Sequence, residues 1–223
     1  MDKRFLSILG GIIVIFIIIF AVTQNSSNNN SSSGGNNSNG QPTSHIEGKG
    51  AKNVTLVEWG DYQCPVCEAY YLPLKQAVAA EFNDIHFQFR NLPLTSLHPN
   101  AFAGARAAEA AGLQGKYWQM HDKLYENQND WSTSSNPQTN FDQYARQIGL
   151  NVSQFDSDYA STKVNSAINA DLSAFAKTNL QQATPTFFIN GKNIPNSEFL
   201  DQSGQPTAAS IEALLKNEIA KQS

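Results

Sequence analysis

The chain of 223 residues contains two cysteines, Cys64 and Cys67, and they stand three apart just after a run rich in β-branched residues, Val54-Thr55-Leu56-Val57-Glu58-Trp59. Gly60-Asp61 breaks that run, which reads as a buried strand. Pro65 suits the first position of a helix, where its missing N–H costs nothing, so Cys64 becomes the N-cap and Cys67 the third helical residue. Positions i and i+3 lie on one side of a first turn, close enough for two sulfurs to meet disulfide geometry. Such a pair opens and closes without moving the fold.

The two sulfurs are not equivalent. Cys64 faces unpaired backbone N–H groups and the positive end of the helix dipole, which favour thiolate over thiol and make it a good leaving group. Cys67 sits deeper and is placed to attack Cys64 once that sulfur is tied to a substrate. Two blander readings exist. Zinc wants four ligands, and the remaining candidates His45, His86, His98 and His121 are not paired at ligand spacing, so no metal and no other cofactor is expected. A structural disulfide closing a four-residue ring would remove little entropy from the unfolded chain.

Lys3 and Arg4 precede an uncharged, isoleucine-rich run over residues 5–22, about the length that crosses a bilayer. This core is longer than that of a cleavable leader, and Ala21-Val22-Thr23 is a weak cleavage signal, so an uncleaved anchor is expected, with residues 1–4 cytoplasmic and the rest outside. Residues 23–49 read as a flexible linker, of which Thr23 to about Ser44, nearly all Asn, Ser and Gly, holds too little apolar surface to order itself and would span roughly 25 Å. Residues 50–223 are then one domain, large enough for a core without disulfide support. A net charge of -4 and the lack of a basic stripe argue against nucleic acid as a partner.

Along the domain, helical spacing continues to about Phe82, with Pro73 inside, and Ile85, Phe87 and Phe89 then alternate with polar residues as in a half-buried strand. Strand, helix and strand in that order predict a parallel pair. Helices follow over Pro99–Ala111, Lys116–Asn127 and Phe141–Ile148, with a fourth, broken near Ser161, reaching about Lys177. His121 lies on an apolar helix face and reads as a core histidine. Trp131 lies in a polar loop, Asn127 to Asn140, long enough to suggest a groove wall or a lid. The strand pattern resumes at Thr186–Ile189, Asn190-Gly191 is a turn, Ile194–Phe199 reads as an edge strand, and Ile211, Leu214, Leu215 and Ile219 mark a last helix.

A strand carrying Glu58, Cys64-Pro65-Val66-Cys67 on a helix, a helical block at about 98–180 and then Thr184-Pro185-Thr186 entering a strand resemble the DsbA-type thioredoxin-fold thiol-disulfide oxidoreductases. His98-Pro99-Asn100-Ala101 and Gly115-Lys116-Tyr117-Trp118 add to the likeness, which covers the chain from about Val54 to Ile219. The resemblance implies an α/β thioredoxin fold with an inserted helical domain. It implies that Pro185 is a cis-proline beside the cysteines, that Thr184 offers its backbone to a substrate strand, and that Glu58 is a buried acid assisting proton movement at Cys67. A carboxyl buried under a thiol would in any case have a raised pKa and accept its proton.

The expected activity is donation of the Cys64–Cys67 disulfide to exported proteins, followed by reoxidation by a membrane partner of the quinone-linked kind. Val66 stands where strongly oxidising relatives carry a histidine, and Thr184 occurs in reducing and isomerising ones, both pointing to a milder oxidant. A reductase or isomerase runs the same exchange from the reduced form. A domain of another class would bind soft metal ions or extended peptides through passive Cys64 and Cys67.

Overall fold

The computed structural model describes residues 43–222, all within the compact unit Gly34–Ser223. The anchor expected over 5–22 and the tether up to residue 42 lie outside the described residues; among the described ones no helix is long and apolar enough to cross a membrane.

Strand β2 (Val54–Gly60), helix α1 (Pro65–Ala80) and strand β3 (Ile85–Asn91) form the expected unit, with β2 and β3 parallel. Strand β4 (Thr186–Ile189) pairs antiparallel with the other side of β2, and β5 (Lys192–Ile194) returns from it through Asn190-Gly191. Both turn residues have positive φ, which Asn and Gly tolerate. With β1 (His45–Glu47) the sheet reads β1-β3-β2-β4-β5.

Alternation along β2 decides what each face holds. Val54 and Leu56 pack with Leu74, Ala77 and Val78 of α1 and with Ile211 and Leu215 of the last helix, α8 (Ala208–Ala220). Val57 and Trp59 face the other way, towards Leu92 and Phe175. Glu58 therefore shares the α1-facing row with Val54 and Leu56, and it is the polar member of that row.

Between β3 and β4 the chain builds a helical block: α2 (Ala101–Gly112), α3 (Tyr117–Glu126), the short α4 (Gln128–Trp131), α5 (Gln138–Gln147), α6 (Val152–Tyr159) and α7 (Thr162–Ala176). Alanines of α2 lie against Trp131, Phe141, Phe155 and Ile168, and Tyr62, Cys64, Cys67 and Phe89 belong to the same cluster. The cysteines thus sit where the sheet domain meets the insertion.

Three sequence expectations need correction. The tether does not run to residue 49: β1 pairs antiparallel with β3, and Thr43 is buried. Thr43 donates its N–H (2.9 Å) and hydroxyl (2.6 Å) to the buried carboxylate of Asp171 on α7, which also accepts the Asn91 N–H at 3.0 Å. This segment is held by hydrogen bonds to a distant acid, so it carries no apolar period. The edge strand stops at Ile194, because Pro195 cannot donate to a ladder, and Asn196–Phe199 is a 3-10 turn. The expected break near Ser161 is present and divides the fourth helix into α6 and α7, the Ser161 hydroxyl accepting the Val164 N–H at 3.2 Å to cap α7. Of the two readings of Trp131 the groove wall fails: it is fully buried in the helical block, and its indole N–H donates to Leu124 O at 2.9 Å.

Asp171→Ala strips the acceptor from Thr43 and Asn91 and should cost about 3–5 kcal/mol, the range for breaking a buried charged network. Urea unfolding checks the loss, and hydrogen exchange should show the β1 amides losing protection first.

Candidate active site

The strand–helix junction places the cysteines as their spacing predicts. Cys64 is the N-cap of α1 with extended backbone (φ -72, ψ 122), Pro65 opens the helix and Cys67 is its third residue. Both are free thiols; Cys64 is 5% exposed and Cys67 fully buried. The Val66 side chain turns to solvent.

The preceding loop is pinned by the insertion. Asp61 accepts the Gln63 N–H (2.8 Å), the Leu94 N–H (2.9 Å) and a hydrogen bond from His98 Nδ1 (2.8 Å). Gln128 of α4 donates to Tyr62 O at 2.9 Å and Cys64 O at 3.1 Å, while Gln63 donates to Ser132 O at 2.7 Å and accepts from the Asn100 N–H at 2.6 Å. These partners come from segments far apart in the chain; the sequence marks His98 and Asn100 only through the family likeness, and Leu94, Gln128 and Ser132 not at all. At Gly60 a Cβ would meet the Phe89 ring at 2.4 Å, so only glycine lets that ring lie beneath the loop.

The pKa of Cys64 is lowered to about 5. A hydrogen bond from the Cys67 thiol contributes most; burial opposes it; Thr184 and the backbone N–H groups of Cys67 and Val66 add to the lowering. As a thiol, Cys64 points its S–H at Thr184 O, 3.5 Å away. The Thr184 hydroxyl, buried and otherwise without a partner among the described residues, is the donor available to the thiolate. Val66 thus acts through its backbone, and the side-chain charge a histidine would bring is replaced in part by Thr184. Burial, the hydrogen bond given to Cys64 and the charge of Glu58 push Cys67 well above the ordinary thiol range.

Glu58 lies on β2 across from Phe89 on one side and Phe187 on the other, 3% exposed, and its buried Oε1 has no hydrogen-bond partner among the described residues. Burial, and then the Cys64 charge, raise its pKa to about 8, so the carboxyl is mostly protonated at neutral pH. The Thr184–Pro185 bond is cis, Pro185 is buried, and among the described residues no hydrogen bond takes up the Thr184 N–H. His121 is a core residue: it accepts or donates at Nδ1 to Tyr62 OH (3.1 Å), and burial lowers its pKa to about 3, so it is neutral. No group of three or more metal-ligating side chains occurs among the described residues.

The family model described as Thioredoxin matches residues 40–217, and the chain belongs to that family. Among solved structures it is similar to oxidised BdbD from Bacillus subtilis, at 25% identity and a TM-score of 0.64, over 87% of this chain and 98% of that one. A thioredoxin-like oxidoreductase from Silicibacter pomeroyi matches at 24% identity, TM-score 0.62, over 86% and 99%. The thiol-disulfide exchange protein alpha-DsbA2 from Wolbachia pipientis matches at 19%, TM-score 0.62, over 82% and 87%. Within the family the fold is of the DsbA-like kind, with its helical insertion. A curated relative, the Na(+)/H(+) antiporter NhaA 1 of Mycolicibacterium gilvum, is 37% identical over 152 residues, 66% of this chain; the chain spans 23% of that protein's length.

The shifted groups fix the sign of two pH effects. For reduced protein, Cys64 falls from the ordinary 9 to about 5 on folding, so the unfolded chain binds the extra proton between those values. Its stabilisation is complete above about pH 9 and lost as the pH falls through about 5. Glu58 moves from 4.5 to about 8, so the native state holds the extra proton and stability falls as pH rises across that window. Urea unfolding of reduced protein from about pH 4 to 9 should show Cys64→Ser losing the rise and Glu58→Gln losing the fall.

Proposed function

We propose that the protein is a thiol-disulfide oxidoreductase that donates the Cys64–Cys67 disulfide to exported proteins. The observation that carries the reading is the asymmetry of the pair: a thiolate favoured at Cys64, a protonated and buried Cys67, and a neutral acid beneath them. A substrate thiolate attacks Cys64 Sγ, the Cys64–Cys67 bond breaks, and its electron pair leaves on Cys67, which takes a proton from Glu58. A second substrate thiolate then attacks the substrate sulfur of the mixed disulfide, and Cys64 leaves as thiolate. The enzyme has gained two electrons and the substrate a disulfide. In this direction Cys67 is the leaving group; its attack on Cys64 belongs to the reverse reaction.

The free Thr184 N–H beside the sulfur suits an extended substrate chain pairing as an added strand. Residues 5–22 would anchor the domain outside the cytoplasm, close to a quinone-linked membrane partner that restores the disulfide. The likeness to a thiol-disulfide exchange protein supports the chemistry. Antiport belongs to the whole of the curated relatives, of which this chain spans about a quarter. The same exchange run from the reduced form, as reductase or isomerase, is favoured by Val66, because without a histidine the thiolate is less stabilised. A passive metal-binding domain predicts stoichiometric copper(I) uptake and no turnover.

Cys64→Ser should abolish cysteine oxidation by the pure protein, and Cys67→Ser should accumulate mixed disulfides with exported proteins in cells. A Cys64 pKa of about 5 lies between the values of about 3.5 for DsbA and 7 for thioredoxin. The reduction potential should accordingly fall between about -120 and -270 mV, and equilibration with glutathione measures it. A value at or below the thioredoxin end rejects the donor role.

A further inference from the structure

Strand β1 is three residues long and stands at the edge of the sheet, with Ile46 exposed, so little apolar surface holds it in place. Polar contacts fasten it instead. Beyond the two hydrogen bonds from Thr43 to Asp171, His45 Nε2 meets both oxygens of Glu109 on α2, at 3.0 and 2.9 Å. Asn91, the last residue of β3, joins the two acids: its side-chain amide donates to Glu109 at 2.7 Å and to Asp171 at 3.2 Å. Both carboxyls are buried, so each depends on these partners.

His45 also reaches inward. Its ring lies flat on Tyr117 of α3, with centroids 3.4 Å apart and planes 8° from parallel. Gly112 leaves room for the stack, since a Cβ there would stand 3.3 Å from His45 Cε1 and 3.4 Å from Tyr117 Cδ2. Tyr117 is buried, and its hydroxyl accepts from Tyr62 OH at 3.0 Å. Tyr62 belongs to the loop that delivers Cys64. Its neighbour Asp61 accepts the Cys64 N–H on its carbonyl at 3.0 Å, and its own carbonyl is held by Gln128. Three rings in contact thus lead from the edge strand to the redox turn. The thiol exchange makes no use of the two hydroxyls, and a phenylalanine at either position would fill the same space without a buried polar group. What the hydroxyls add is direction: a hydrogen bond fixes one ring against the other where apolar contact would let them slide.

We propose that Thr43–Glu47 is a positioning strap for the redox turn: docked on Glu109 and Asp171, it holds Tyr117 and through it Tyr62, so that Cys64 keeps its place over the first-turn N–H groups of α1. The inference rests on the thiol exchange proposed above. His45 and Tyr117 act through Tyr62 and are positioning residues. Because residues up to 42 lead straight into Thr43, the contacts that fasten the linker to the domain are the same ones that steady the site.

The test follows Cys64 ionisation by ultraviolet thiolate absorbance across pH, and the equilibrium with glutathione, in the full-length protein. His45→Ala removes the stack and the Glu109 contact; Tyr117→Phe keeps the ring and removes the hydroxyl. Each should lower the Cys64 ionisation constant about fivefold, the worth of one net hydrogen bond, and shift the glutathione equilibrium by the same factor towards a weaker oxidant. His45→Ala with Tyr62→Phe should shift no further than either alone, because both cut one line of contacts. Leu214→Ala, which loosens α8 on the other side of the domain, should lower the urea midpoint and leave Cys64 ionisation where it was. Where His45→Ala does not fold, Tyr117→Phe decides the matter, and thermal unfolding checks that it is native. Unchanged ionisation in folded Tyr117→Phe, additive shifts in the double variant, or an equal shift in Leu214→Ala overturns the strap and leaves the oxidoreductase reading intact. Absence of any Cys64-dependent exchange in the wild type overturns that reading and the strap with it.

Discussion

The N–H groups in the first turn of α1 face Cys64 and cannot serve Cys67, which lies inside the same turn. With the hydrogen bond that Cys67 gives Cys64 and the deeper burial of Cys67, this separates two chemically identical side chains. It depends on Pro65 starting the helix immediately after Cys64, and so on where β2 ends. Gly60 allows the strand to finish over the Phe89 ring, and Asp61 ties the loop to Leu94 and His98. The insertion then holds the turn from outside through Gln128 and Asn100. The helical block is therefore part of the active site's frame and not only a cover for substrates.

The stabilised thiolate exists only in reduced protein. Any interaction that lowers the Cys64 pKa strengthens the dithiol state relative to the disulfide, and a favoured dithiol state is what drives electrons in from a substrate. Here the lowering comes from the Cys67 thiol, the Thr184 hydroxyl and backbone N–H groups, since Val66 contributes no side-chain charge. Glu58 works against it when ionised, because two negative charges would then share an apolar pocket. Keeping Glu58 protonated is thus as much a condition of the thiolate as the helix terminus is.

Much of this site was legible before any coordinates. Cys-Pro at a strand–helix break specifies N-cap and N3 by local rules, and Glu58 as a buried acid followed from the family likeness. The cis bond at Pro185 and its place beside Cys64 followed from the family likeness and not from any local pattern. What stayed hidden is what depends on residues distant in sequence. Thr43 and His45 lie in a stretch whose composition reads as tether, and only their bonds to Asp171 and Glu109 order them. Tyr71 with Lys75, and Asp122 with Glu126, each stand four apart on their helices, a spacing that would have flagged two polar faces but not that they meet.

Glu58 carries a cost of its own. A carboxyl with an unpartnered buried oxygen, flanked by Phe89 and Phe187, destabilises the fold, and a hydrophobic residue on that row of β2 would pack without the penalty. The acid is useful only if its proton can move, and a sealed acid could serve one turnover in one direction. Behind the acid lies a cavity of about 50 Å³ that Glu58 lines together with Glu47, Lys75 and Asp122, so its carboxyl is not sealed in on every side. Burial keeps Glu58 protonated at neutral pH, which is the state an acid beneath a leaving thiolate needs.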